Sequence, residues 1–222
     1  MSELLTRGRL RRSAVVPRTF YDRDVRVVAR ELLGKWLVRR SRHGECVVEI
    51  VETEAYLATG DPACHAARGM TPRNKAMFGP PGRAYVYAIH SRWCFNIVCQ
   101  SRGEPAAVLI RAARPVAGHA IMARLRGGCR ERDWLRGPSR LCQALAIDKR
   151  LNRWPVDRPT RLWVVGGDQE PIADDCIAVS PRIGVTSAHD LHLRFFLDGS
   201  PHVSGPRKWH TRPVEFSERS PT

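Results

Sequence analysis

From Phe20 the apolar positions Val25, Val28, Leu32 and Leu33 recur at helical spacing, and Gly34 closes the helix before KWLVRR begins a strand. From Val47 to Leu57 the period becomes two. Val48, Ile50, Glu52, Glu54 and Tyr56 are then expected on one face, apolar at the start and carboxylate-bearing at the end, as in a strand that runs from core to cleft. Residues Asp61 to Gly82 lose all periodicity and are rich in Gly, Pro and Arg. That stretch is too long for a tight turn and reads as a functional loop. Ala84 to Ile89 and Cys94 to Cys99 read as two strands around His90-Ser91-Arg92-Trp93, a hairpin with an aromatic and basic tip.

Pro105 to Ala113 is a further strand, apolar except for Arg111. Val116 to Leu125 has helical spacing, and Ser139 is placed to cap a helix that turns Leu141, Cys142 and Leu145 inward. Leu162 to Val165, Ile177 to Val179 and Leu191 to Leu197 supply more strands. No repeat or linker divides the chain. The pattern predicts an α+β fold, one mixed domain with a largely antiparallel sheet. Its expected limits are residues 18–207, after a flexible basic arm over 1–17 and before a disordered tail over 208–222.

Composition changes this picture in one respect. Hydrophobic content of 43% and charged content of 27% are ordinary, but 37 Lys and Arg against 22 Asp and Glu leave a net charge of +15. A positive field of that size captures polyanions, which puts nucleic acid first among partner classes, with a merely solvated basic surface as the alternative. No apolar run approaches the roughly 18 residues of a membrane span, and the arginine-bearing N-terminus lacks the apolar stretch of a secretory signal. Seven cysteines, none in a C-x-x-C pair and most inside apolar runs, point to reduced thiols in the cytoplasm and against a zinc or iron–sulfur site. No cofactor is expected.

Glu52 and Glu54 form a candidate carboxylate pair, since neighbouring carboxylates push one pKa up. Arg111, an arginine inside an apolar strand, needs an anionic partner, and Glu54 is the natural one. The pair can hold a water between its members or be a structural ion pair; spacing allows both. Tyr56 beside Glu54 suits a flat, electron-rich substrate such as a base. Tyr85 and Tyr87 alternate with Val86 and face one way, as core or as a stacking surface. His65 has no companion at metal-ligand spacing, and His189 and His192 are expected on the surface. Arg68, Arg73, Lys75 and Arg83 around the loop read as phosphate anchors or as a solubilising rim.

At this point the residues resemble a known family. IVETEAYL, then H-x-x-R-G-x-TPRN-x-x-MF, then YVY, VLIRA, GPSRLCQALAI and LRFFLDGSPHVSG are similar, in order, to the alkyladenine (3-methyladenine) DNA glycosylases, over roughly residues 18 to 207 of what looks like a bacterial member. The resemblance implies a curved sheet with surrounding helices and a hairpin that enters the DNA minor groove. It implies a monofunctional enzyme of base excision repair that flips damaged purines out of double-stranded DNA and cleaves the N-glycosidic bond. Glu54 would be the general base and Arg111 its partner on the attacking water. Tyr56, His65 and Tyr87 would sandwich the base, with the backbone around His65 reading its position-6 edge and Asn96 obstructing the exocyclic amine of guanine. Arg73, Lys75, Met77, His90 and Arg92 would contact DNA. A cytoplasmic, nucleoid-associated monomer is implied.

The hairpin tip departs from the family. Where Tyr-Gly is usual, this chain has His90-Ser91-Arg92-Trp93, one residue shorter, and the wedge falls to His90 with Trp93 as substitute. That departure keeps a rival reading open, a damage-binding protein that has lost catalysis. A general nucleic-acid binding module is the third reading.

Overall fold

The apolar run VVEIV becomes the middle of β2 (Gly44–Tyr56), thirteen residues long and the strand on which the sheet is built. In the computed structural model, residues 8, 10, 12–166 and 172–210 are described. One edge of β2 pairs with β5 (Ala106–Ala117). Its other edge is shared: β1 (Trp36–Ser41) takes the first half, and β8 (Arg194–Leu197) takes Glu52 to Glu54. Beyond β5 lie β4 (Arg92–Cys99) and β3 (Ala84–Ile89). Beyond β1 lies β6 (Leu162–Val165), and β7 (Ile177–Ser180) pairs with β8. Every pairing is antiparallel, giving a curved eight-stranded sheet in one α+β domain, as the sequence predicted.

Helices cover the core face. After α1 (Arg18–Tyr21), α2 (Val25–Glu31) starts at Asp24, whose carboxylate accepts from the Arg26 N–H at 2.8 Å, and buries Val25, Val28 and Ala29. Gly34, at φ 76°, ends this turn and donates to Ile50 O at 2.8 Å. The predicted helix at Val116 starts later, because β5 continues to Ala117 and only then does α3 (His119–Arg126) begin. Ser139 is not a cap. Gly137, at φ 128°, precedes α4 (Pro138–Ala144), whose first residue is the proline that suits that position. Val28, Leu32, Ile50, Ile110, Leu141 and Phe195 belong to one buried cluster between helices and sheet.

The domain begins earlier than residue 18. Ser13 is buried, Val15 bridges Val165, and Val16 N–H donates to Val164 O at 3.0 Å, so this end of the expected arm is packed on β6. Most of residues 1–11 and all of 211–222 lie outside the described residues. At the other end, the Trp209 carbonyl accepts from Arg194 at 2.9 Å, so the start of the expected tail is tied to β8. Among the described residues no helix is long and apolar enough to cross a membrane.

The even alternation expected along β2 fails at one place. In the β2–β5 register Ile50 pairs with Ala113, Glu52 with Ala112 and Thr53 with Ile110, so Val51 and Arg111 are left without cross-strand partners. A bulge on each strand reverses the parity. Val48 and Ile50 face the main core, as do Ala55 and Thr53, whose hydroxyl donates to Ala29 O at 2.8 Å. Glu52, Glu54 and Tyr56 are therefore on the opposite face from Val48 and Ile50, and Arg111 is turned toward them.

Candidate active site

Behind the bulges lies a buried set of charges. Glu52, on the second half of β2, accepts from Arg194 Nε at 2.6 Å, Ser204 N–H at 2.7 Å and Ser204 Oγ at 3.0 Å. Arg111 Nε stands 3.2 Å from Glu52 as well. With every approach to it occupied and no exposure, Glu52 is a structural anchor rather than half of a catalytic carboxylate pair.

Glu54 is held differently. Its Oε1 accepts the backbone N–H of Ile183 at 2.7 Å, and its Oε2 accepts the Tyr56 hydroxyl at 3.0 Å. Arg111 Nη1 is 3.3 Å from each carboxylate oxygen and 3.4 Å from Ile183 O. Burial, and then the Glu54 charge, holds the Tyr56 phenol well above its usual range, so it stays protonated and donates. Burial works against the charge on Arg111, but Glu54 and Glu52 outweigh it and raise the pKa of the guanidinium.

Tyr56 and Arg111, which hold the fully buried carboxylate, line a cleft of about 830 Å³, within the range of small-ligand sites. Its walls include Tyr56, Tyr87, His65, Leu109, Arg111 and Ile183. The loop from Asp61 to Gly82 supplies one wall and has a small core of its own: Cys64, Ala66, Ala76 and Met77 pack with Tyr85 beneath Tyr56 and Tyr87. Asn74 pins it. Its side chain donates to His65 O at 2.8 Å and Gly69 O at 2.9 Å and accepts from Thr71 N–H. The His65 ring meets Tyr87 edge-on at 4.4 Å between centroids, and its Nδ1 bonds the Tyr85 hydroxyl at 2.9 Å. Although residue 65 is exposed at the cleft, partial desolvation of its ring against the tyrosines, then the nearby Arg73 charge, lowers the His65 pKa and favours the neutral imidazole.

A sequence model described as "Methylpurine-DNA glycosylase (MPG)" matches residues 19–201. The chain belongs to that family. It is 48% identical over 191 residues, 86% of its own length and 98% of the relative's, to a protein of Carboxydothermus hydrogenoformans named "Putative 3-methyladenine DNA glycosylase". Relatives of the same name from Methanocella arvoryzae and Koribacter versatilis share 47% over 195 residues and 41% over 210. These cover 86% and 91% of this chain and 96% and 99% of theirs. The family is one of DNA glycosylases, hydrolases of DNA repair, and this chain is such an enzyme.

In the glycosylase Glu54 contacts Arg111 and Tyr56, and Arg111, Tyr56, His65 and Tyr87 line one cleft. Other expected residues lie elsewhere. Asn96 is buried, donates to Tyr85 O at 3.0 Å, and borders a small space of about 10 Å³ that shares Tyr56, His65 and Tyr87 with the cleft. Met77, expected at the DNA surface, is buried in the loop core. Arg73 and Lys75 are exposed, although Arg73 also donates to Ala88 O at 2.7 Å and stands over the Tyr87 ring. Arg83 sits at the far end of β3 from the tip, beside Pro155, and is not a loop anchor.

The hairpin closes in two residues, His90 and Ser91, both with positive φ, and Arg92 and Trp93 belong to β4. His90 and Arg92 are exposed and line the cleft mouth, as does Ile89. Trp93 packs against the main core and cannot serve as the tip. Sequence reasoning passed over Ile183 and Arg182, in PRIGV, and Asp61. Arg182 and Asp61 form a fully buried pair with contacts of 2.6 and 2.7 Å. The only cue for Ile183 was an apolar residue flanked by an arginine and a glycine, which spacing alone does not connect to a glutamate 129 positions away.

Proposed function

We propose that this glycosylase flips alkylated or deaminated purines, of the 3-methyladenine, 7-methylguanine, hypoxanthine and ethenoadenine class, out of double-stranded DNA and hydrolyses the N-glycosidic bond. The observation that carries this is the Glu54 carboxylate, oriented by Ile183 N–H and Tyr56, in contact with Arg111 and set behind an aromatic-walled cleft. A water held between Glu54, Arg111 Nη1 and the Ile183 carbonyl gives a proton to Glu54 as its oxygen attacks C1′ of the deoxyribose. The C1′–N bond breaks, its electrons leave with the base, and an abasic site remains.

The energetics support this reading. Extruding a base costs roughly a few kcal/mol, least for a damaged pair, and stacking on Tyr56 and Tyr87 returns about 1–3 kcal/mol per base. A cationic alkylated purine is already a good leaving group, so one general base contributing on the order of 10²–10⁴-fold suffices. Neutral His65 can stack without repelling such a base. The His65 carbonyl already accepts one hydrogen bond from Asn74, which leaves one of its lone pairs for a base.

The exposed rim, Arg68, Arg73, Lys75 and Arg92, supplies phosphate contacts, and the tip formed by Ile89 and His90 enters the minor groove. The damage-binding reading without catalysis loses ground to the fully partnered Glu54. The test is base release from duplexes that carry hypoxanthine, ethenoadenine or random methylation, read by alkaline cleavage of abasic sites. Lesion-dependent cleavage that disappears in Glu54→Gln is the expected result. Tight lesion binding without any cleavage in the wild type would overturn it.

A further inference from the structure

The guanidinium of Arg182 has no part in the chemistry above, yet it lies against the principal aromatic wall. Arg182 and Asp61 are both without exposure, joined through two nitrogens and two oxygens at 2.6 and 2.7 Å, and Arg182 also donates to Ala55 O at 3.0 Å. Its Cζ stands 4.6 Å from the centroid of the Tyr56 ring. Tyr56 lines the cleft, whereas Arg182 is absent from that lining and borders a smaller pocket that shares Ile183, Gly184 and Val185 with it. The ring therefore separates the guanidinium from the space a base would fill.

We propose that Arg182 is a specificity-determining residue that biases the enzyme toward neutral damaged purines and against positively charged ones. The inference rests on the reading that Tyr56 stacks on the flipped base. An aromatic face attracts a cation through its negative quadrupole. Here one cation already uses the back face of Tyr56, so a second cation on the cleft face meets a depleted ring and direct repulsion from the first. A neutral base, held by dispersion, meets neither. Asp61 moderates the bias, since its carboxylate neutralises part of the guanidinium field, and the pair together sets its strength. The Glu54 charge at the Tyr56 hydroxyl acts in the opposite sense, but it is unaltered by changes at residues 61 and 182.

The experiment is a competition assay on the full-length enzyme, with a duplex holding 7-methylguanine and one holding hypoxanthine cleaved in the same tube at mildly acidic pH, where the methylated base keeps its charge. The readout is the ratio of the two kcat/KM values, which does not depend on how much active enzyme is present. Asp61→Asn exposes the full guanidinium charge and lowers the ratio of cationic to neutral substrate by about two- to fivefold. Asp61→Asn combined with Arg182→Gln removes both charges and raises the ratio above wild type by a similar factor. Arg182→Lys, which keeps the charge, leaves the ratio near wild type. Loss of packing alone slows both substrates together, so an unchanged ratio in both charge variants, or a shift of the same sign in both, overturns the proposal. Failure of the wild type to release either base would instead overturn the function on which it rests.

Discussion

The backbone N–H of Ile183 donates to Glu54 Oε1 across 2.7 Å, joining a loop peptide after β7 to the second half of β2. The same residue's carbonyl lies 3.4 Å from Arg111 Nη1, which in turn contacts Glu54. Two successive peptide groups, on either side of the Ile183 Cα, therefore engage both the carboxylate and its arginine. Main-chain groups do this with no rotamer to lose.

Arg111→Lys removes the planar fork that reaches Glu52 and Ser204 through Nε and Glu54 through Nη1. Single-turnover base release is expected to fall about 10²-fold, the scale of a misplaced catalytic group. Lesion binding in a gel-shift assay should change far less. A lysine variant as fast as wild type would remove Arg111 from the chemistry.

Glu52→Ala should act on stability instead. It leaves Arg194 buried without its carboxylate and strips Ser204 of two contacts. The expected loss is about 3–5 kcal/mol, measured by urea unfolding. Whatever protein remains folded should keep the wild-type lesion preference.

Asn74→Ala releases the loop wall. Two donated hydrogen bonds and one accepted one disappear from a residue that is 2% exposed. Faster amide exchange at residues 65–71 is the direct signature, with about 1–3 kcal/mol of local stability lost. Unchanged exchange there would refute the pinning role.

The His65 imidazole should titrate below its ordinary value of 6.5, chiefly through burial and secondarily through Arg73. Arg73→Ala should raise the value part of the way and leave it still below 6.5, as followed by NMR. Since the folded pKa is depressed, the contribution of His65 to stability is complete above 6.5 and is lost as pH falls from there through the folded value. A wild-type His65 that titrates at or above 6.5 would contradict the lowered value expected for a ring set against Tyr85 and Tyr87.

At the hairpin tip, Ile89 is 43% exposed and apolar, beside the more polar His90. Wedging groups are apolar or aromatic. Ile89→Ala should therefore slow base flipping, seen by stopped-flow fluorescence of ethenoadenine, by about tenfold, and more than His90→Ala does. Equal rates in wild type and both variants would show that neither fills the gap.

Much of this architecture was legible in the chain. Helical spacing placed α2, and turn residues bounded the hairpin. The pairing of Glu54 with Arg111 followed from the cost of burying an arginine in VLIRA. The parity of β2 was not legible, because the extra residues Val51 and Arg111 sit inside smooth apolar runs and nothing in side-chain type marks a bulge. Met77 and Asn96 were read as DNA- and base-facing by position in a motif, while their burial depends on how the loop folds onto Tyr85. Asp61 and Arg182 lie 121 positions apart and meet only through tertiary structure. Ile183 acts through its peptide group, which has no signature in sequence at all.

The contacts that complete the carboxylate site span long stretches of chain: 129 positions from Glu54 to Ile183 and 152 from Glu52 to Ser204. Loop closure over such separations comes late in folding, after the local hairpins have formed. During synthesis the β3–β4 hairpin emerges well before Ile183 and Ser204, so in a partly made chain Glu52 and Glu54 lack these backbone partners. The buried carboxylate cluster is therefore complete only when the last strand and the segments on either side of it have docked.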